Sequence, residues 1–303
     1  MESKLDLKRI SIYLAIAFGI AWAVGLAVYL INENADPFDP NIASLQLTVI
    51  LLMAVGYMWA PALGNILTRL ITREGWQTTF LTPHFRRAWK FWLLAWIMPV
   101  VLTVLGLAVY FLLFPAHFDS ALPVVRAQME QVGMASTMSP WLFVGAQMVN
   151  VLLVGLVVNS LATFGEEFGW RAYLLPKLMP LGARKAVLIS GVIWGVWHWP
   201  LTAQGHNYGL DYPGAPWLGM LMMVVFTVSL GALLSWLALR AGSVWPAVIG
   251  HAIMNAVGGL GLIFMVGEPN MLFGPIPAGL VAGLPFILLA LAVLLSPKAL
   301  QPD

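Results

Sequence analysis

The sequence predicts an all-α polytopic membrane protein, with about eight transmembrane helices enclosing an intramembrane polar site. Three observations carry this reading. Only 9% of the 303 residues are charged, where a soluble domain has about 25%, and 60% are hydrophobic, with a mean hydropathy of +0.86. The apolar residues fall in runs near the roughly 20 residues a membrane-crossing helix needs. Lys and Arg concentrate in alternate connections between those runs. With 15 basic and 13 acidic residues, the chain cannot cover itself with a water-soluble surface. That excludes a soluble enzyme, a nucleic-acid binder and a disordered protein. Cysteine is absent, so there is no disulfide framework, thiolate nucleophile or thiolate metal site.

Each run is bounded by charge, Pro or Gly. The first, 10–31, lies between Lys8-Arg9 and Glu33. No small-residue cleavage site follows it, so it reads as a retained span rather than a signal peptide. The second, 45–66, ends before Arg69 and Arg73, and the third, 91–114, lies between Lys90 and Pro115. The fourth starts near Trp141 and enters an unusual polar segment at 164–171. The stretch 141–179 is too long for one straight span, and Gly165, Gly169 and Pro176 are the candidate break points. The fifth, 186–199, is short and stops at Pro200; the sixth, 217–239, ends at Arg240. The seventh, 244–266, stops at Gly267, and the eighth, 276–295, stops before Pro297. No long soluble block interrupts them, so one membrane domain, 1–303, is expected. No internal repeat of the transporter type is visible.

The loop charges orient these spans. Thirteen of the fifteen basic residues lie on one side: Lys4, Lys8 and Arg9; Arg69, Arg73, Arg86, Arg87 and Lys90; Lys177, Arg184 and Lys185; Arg240; and Lys298. Arg126 alone lies on the other, and Arg171 lies at membrane depth. Glu33, Asp36, Asp39, Asp119, Glu130, Asp211 and Glu268 show the reverse bias. The expectation is an integral protein of a prokaryotic plasma membrane with both termini cytosolic.

Three charges sit where charge is costly and usually functional: Glu166, Glu167 and Arg171. Glu167 and Arg171 are four apart and read as an ion pair on one helix face. Glu166 points about 100° away and is not explained by that pair. Two other spans carry polar groups: His198 after Trp194-Gly-Val-Trp, and His251 with Asn255 one turn on. Taken alone, His198 reads as an interfacial imidazole among tryptophans, and His251 with Asn255 as interhelical hydrogen-bonding groups. Glu166 is 11 residues before Lys177, His198 is 13 after Lys185 and His251 is 11 after Arg240. At 1.5 Å per residue these are depths of about 16, 20 and 16 Å, near the middle of a ~30 Å core. One shared site accounts for all three. His84, His117 and His206 lie in connections and receive no role.

Two carboxylates, two imidazoles, an amide and a guanidinium, with no Ser–His pair at this depth, point away from acyl transfer and toward an activated water. Glu166 with His198 could polarise that water as general base, or share a metal that does so. His251 and Asn255 could meet a tetrahedral oxyanion, and Arg171 could hold Glu167. Glu166-Glu167-x-x-x-Arg171, Trp194-x-x-x-His198 and His251-x-x-x-Asn255, in this order and in separate spans, resemble the three motifs of the CPBP family of intramembrane proteases. That family includes the Rce1-type CAAX prenyl endopeptidases and bacterial Abi and bacteriocin self-immunity proteins. The resemblance covers 141–258 as a catalytic core. It implies Glu166 as base with His198 on the water, Glu167 and Arg171 as support, and His251 with Asn255 as oxyanion hole. It also implies a membrane-embedded or lipid-anchored peptide substrate, prenylated only in part of the family. Trp194 replaces the usual Phe, a change expected to touch packing alone. If zinc is used, Glu166, His198 and His251 are the candidate ligands; the same atoms serve a metal-free site.

Alternatives from other classes are a proton- or ion-coupled transporter and a non-catalytic immunity or scaffold protein; the oligomeric state is open. Gly191-x-x-x-Gly195 and Gly279-x-x-x-Gly283 read as close helix contacts, and Trp22, Trp59, Trp92 and Trp217 as belt and core residues. The connection 200–216 has no Lys or Arg and is a candidate cap over the site from the outer side.

Overall fold

The computed structural model describes residues 5–33, 42–131, 133–134, 137–296 and 298–301; Lys4, Asp36 and Asp39 lie outside them. The described elements are α1 (Leu7–Glu33), α2 (Ile42–Leu51), α3 (Ala60–Thr72), α4 (Phe85–Leu113), α5 (Pro123–Gln131), α6 (Pro140–Asn150) and α7 (Leu156–Gly169). They continue with α8 (Leu175–Leu178), α9 (Ala183–Trp197), α10 (Trp199–Thr202), α11 (Trp217–Ala241), α12 (Trp245–Val257) and α13 (Leu284–Leu295). Apart from one isolated bridge between Phe118 and Met265, the regular structure of the described residues is helical. Among the described residues, six runs are long and apolar enough to cross a membrane: Leu7–Glu33, Ala43–Thr72, Phe85–Leu113, Pro140–Leu181, Trp217–Ala241 and Trp245–Phe264. The protein is an all-α, multi-pass integral membrane protein.

Two expected spans are shorter than a full crossing. α9 has 15 residues and α13 has 12, about 22 and 18 Å of helix. The eighth run begins at Leu284 rather than 276, because 277–283 form turns. The turn closes through Gly279 N–H to Ile276 O and Gly283 N–H to Gly279 O. A Cβ on Gly279 would collide with the backbone of Gly274. The Gly279 and Gly283 pair therefore serves a tight turn and not a helix contact.

Through 160–180 the chain stays helical without interruption. Pro140–Leu181 is one helical run of 42 residues, about 63 Å of helix against a ~30 Å core, so its ends project beyond that core. It absorbs two π-helical turns, Val151–Gly155 and Trp170–Leu174, of a kind frequent at functional sites. Gly165 and Gly169 are contact points. A Cβ on Gly165 would lie 2.7 Å from Met58 O and 2.8 Å from Trp59 Cα, and one on Gly169 would lie 2.6 Å from Pro61 O. Absence of side chains thus lets α7 lie directly on α3. Asn65 Nδ2 donates to Phe168 O at 2.8 Å, and Trp59 Nε1 to Leu161 O at 3.0 Å, locking the two together. Asn65 is 0% exposed, a position where a polar group needs such a partner.

Small residues build the rest of the bundle in the same way. α1 buries Tyr13, Ala17, Ala21 and Gly25 at a four-residue interval, one face of a helix, and Gly64 of α3 fits over Tyr13 and Ala17. Gly191 and Gly195 bring α9 against α11 as expected: their Cβ positions would be 2.8 Å from Val228 Cα and 2.7 Å from Val224 Cα. Thr227 Oγ1 donates across that contact to Gly191 O at 3.0 Å. Lipid needs no hydrophobic force between helices, so close backbone contact and such bonds carry the association.

Candidate active site

Four helical segments carry the candidate residues: α7 Glu166 and Glu167, the following π turn Arg171, the α9 end Trp194 and His198, and α12 His251 and Asn255. Glu166, Trp194, His198, His251 and Asn255 all line one cavity of about 420 Å³. Glu167 and Arg171 are fully buried behind it, at 0% and 2% exposure, and do not line it. The three sequence motifs therefore converge, and the adjacent carboxylates part as helix geometry requires.

Glu167 is the buried anchor. Its Oε1 accepts from Arg171 Nη1 at 2.9 Å and lies 2.9 Å from His251 Nδ1. One carboxylate oxygen thus ties the π turn to α12 and fixes the ring of His251. Glu166 is free of that pair. Its Oε2 accepts from Trp194 Nε1 at 2.7 Å, a charge-assisted bond when the carboxylate is ionised, and its carboxyl group faces the cavity.

Trp194 does more than pack, which corrects the sequence expectation. Besides donating to Glu166, its ring lies 4.4 Å from the Arg171 guanidinium carbon, stacks edge-to-face on His251 at 5.2 Å and sits 5.7 Å from the His198 ring. A phenylalanine, the usual residue of the family motif, has no N–H to offer Glu166. The substitution supplies a hydrogen bond at the centre of the site.

His198 Nδ1 is 2.8 Å from Trp194 O. A backbone carbonyl only accepts, so Nδ1 carries the proton, and in the neutral ring Nε2 holds a lone pair for the cavity. Asn255 is exposed to the cavity. Its side chain has no hydrogen-bond partner among the described residues, so its amide is available to a ligand.

The zinc alternative does not fit this arrangement. Among the described residues no group of three His, Asp or Glu side chains is close enough to share a metal ion. The indole of Trp194 stands among the three candidate ligands, donating to Glu166 and lying 5.7 Å from the His198 ring and 5.2 Å from the His251 ring. Among the lining residues that received no role from the sequence are His206 and Asn207 from 203–216 and Met271 from 265–283. Their only sequence signal was the absence of Lys and Arg from those connections, together with their Gly content.

Two comparisons extend this geometry. Residues 148–257, which hold every motif residue, match the family model of the Rce1-like type II CAAX prenyl endopeptidases. Over 97 residues the chain is 31% identical to CAAX prenyl protease 2 of Methanococcus maripaludis, a match covering 31% of this chain and 35% of that protein. The chain thus spans about a third of the length of the curated relative it matches. Residues 148–257 are thus similar to the Rce1-like type II CAAX prenyl endopeptidases, and the similarity spans all three motifs.

Proposed function

We propose that the protein is an intramembrane endopeptidase that hydrolyses a peptide bond of a membrane-associated substrate with a water activated by Glu166. The observation that carries this reading is the shared cavity: a carboxylate held by Trp194, an imidazole with a free Nε2 and an unpartnered amide face one water-accessible space. Water binds between Glu166 and His198 Nε2. Glu166 takes its proton as the oxygen attacks the scissile carbonyl carbon. The carbonyl oxygen becomes the oxyanion and meets Asn255 Nδ2–H and, with His251 doubly protonated and its Nδ1 held on Glu167, His251 Nε2–H. Collapse breaks the C–N bond, and the proton on Glu166 passes to the leaving amine. Glu167 and Arg171 touch no reacting atom; they hold His251 and the indole of Trp194 in position.

The test is a comparison of membrane peptides, by mass spectrometry, from cells making wild type or Glu166→Ala at equal levels. Peptides ending at a new bond only with wild type identify the substrate. Identical peptide sets together with substrate-driven ion flux that Glu166→Ala abolishes would replace the protease with a transporter.

A further inference from the structure

Resting on the protease reading, we propose that water and substrate reach Glu166 from the face of the membrane opposite the basic connections. The scissile bond then lies in an uncharged, largely apolar segment of a membrane-anchored peptide held on the non-cytosolic side. Two independent features of the fold point this way: what rims the cavity and what closes it.

The rim comes from one side. Beyond the motif residues, the cavity is bounded by His206 and Asn207 of 203–216 and by Met271, Ile276 and Pro277 of 265–283. Both connections lack Lys and Arg, and their only formal charges are Asp211 and Glu268. Tyr208 Oη donates to Ala278 O at 3.0 Å, joining the two connections over the site. No lining residue comes from a connection carrying the basic residues.

The opposite side is shut. Following the long helix from Glu166 toward Lys177, Trp170, Arg171, Tyr173, Leu174 and Leu175 are each 0–2% exposed. Beyond them Glu74 is clamped by Lys177 Nζ at 2.6 Å, Arg9 Nε at 3.2 Å and Tyr173 Oη at 3.2 Å. That cluster binds α1, the α3 end and α8 into a closed floor. Basic residues mark the cytosolic face, so the floor is cytosolic and the rim faces out.

The lining also states what enters. It contains no Lys or Arg, so no permanent cation is set to receive a free carboxylate or a phosphate, and the His251 imidazolium is engaged by Glu167 and the oxyanion. Met53, Met58, Met223, Met254 and Met271 supply flexible apolar wall, suited to side chains of varied shape.

The chain has no cysteine, so single cysteines report access directly. Met271→Cys marks the rim, Asn255→Cys the cavity wall and Lys185→Cys the basic face. Each full-length variant is exposed, in right-side-out and inside-out membrane vesicles, to a membrane-impermeant cationic methanethiosulfonate. Thiols left unreacted are then counted with a fluorescent maleimide after denaturation. The proposal expects Met271→Cys and Asn255→Cys to lose maleimide labelling in right-side-out vesicles and keep it in inside-out ones, with Lys185→Cys reversed. It is overturned if Asn255→Cys reacts from the face that modifies Lys185→Cys, if it is protected from both faces, or if Met271→Cys and Lys185→Cys react from the same face. No cleavage is measured, so this outcome is independent of whether the protein is a protease.

Discussion

Replacing Trp194 by Phe removes one hydrogen bond from the centre of the site and leaves a ring in place. The lost bond, Trp194 Nε1 to Glu166 Oε2 at 2.7 Å, is short and lies where Glu166 is 3% exposed. A hydrogen bond to a charged group contributes about 1.5–3 kcal/mol. If that free energy positions the carboxylate for attack, the loss in kcat is about 10- to 150-fold at ~1.4 kcal/mol per decade. KM should change little, because Trp194 donates to Glu166 and not to the substrate. The smaller ring also leaves a void, and Trp170→Phe controls for it: Trp170 is 0% exposed and its Nε1 has no hydrogen-bond partner. The assay is steady-state cleavage, in proteoliposomes, of a substrate identified with Glu166→Ala, alongside thermal unfolding of each variant. The reasoning predicts that both variants lose stability and only Trp194→Phe loses kcat. It is refuted if Trp194→Phe keeps wild-type kcat, or if Trp170→Phe loses as much.

Four other substitutions separate support from chemistry. Glu167→Ala leaves the guanidinium of Arg171 buried at 2% exposure without its carboxylate, a loss of about 3–5 kcal/mol that should appear as a large fall in unfolding temperature. Asn255→Ala removes a cavity-facing amide with no protein partner; unfolding should be unchanged while kcat drops about 10²- to 10³-fold. Gly169→Ala forces a methyl into Pro61 at the α3–α7 contact and should cost about 1–3 kcal/mol or more. Gly19→Ala, with nothing within 4 Å, should be neutral or stabilise by up to ~1 kcal/mol, again read from unfolding.

The membrane class and the meeting of the three motifs were legible because they rest on periodicity and on the cost of charge in lipid. Glu167 with Arg171, and His251 with Asn255, are four residues apart, and any helix puts such pairs on one face. The same rule separated Glu166 from Glu167, and the structure has Glu167 paired and Glu166 facing the cavity. What stayed hidden depends on contacts between distant segments. The contacts at Gly165 and Gly169 are one case, because a glycine in sequence does not reveal the Met58–Pro61 backbone pressed against it. Trp194 looked like packing because only the fold shows its N–H aimed at a carboxylate 28 residues earlier. The turn at 277–283 and the rim residue Asn207, at φ 69°, carry no periodic signal at all.

The central claim is that Glu166 activates the attacking water, and it is tested most directly by Glu166→Gln, which keeps the shape and an acceptor for Trp194 but cannot take a proton. The measurement is single-turnover cleavage of an identified substrate by purified, reconstituted protein, with unfolding temperature recorded on the same preparation. The account predicts wild-type stability and a fall in the cleavage rate of at least about 10²-fold, the lower range of a general base's contribution. Cleavage by Glu166→Gln at the wild-type rate would contradict it.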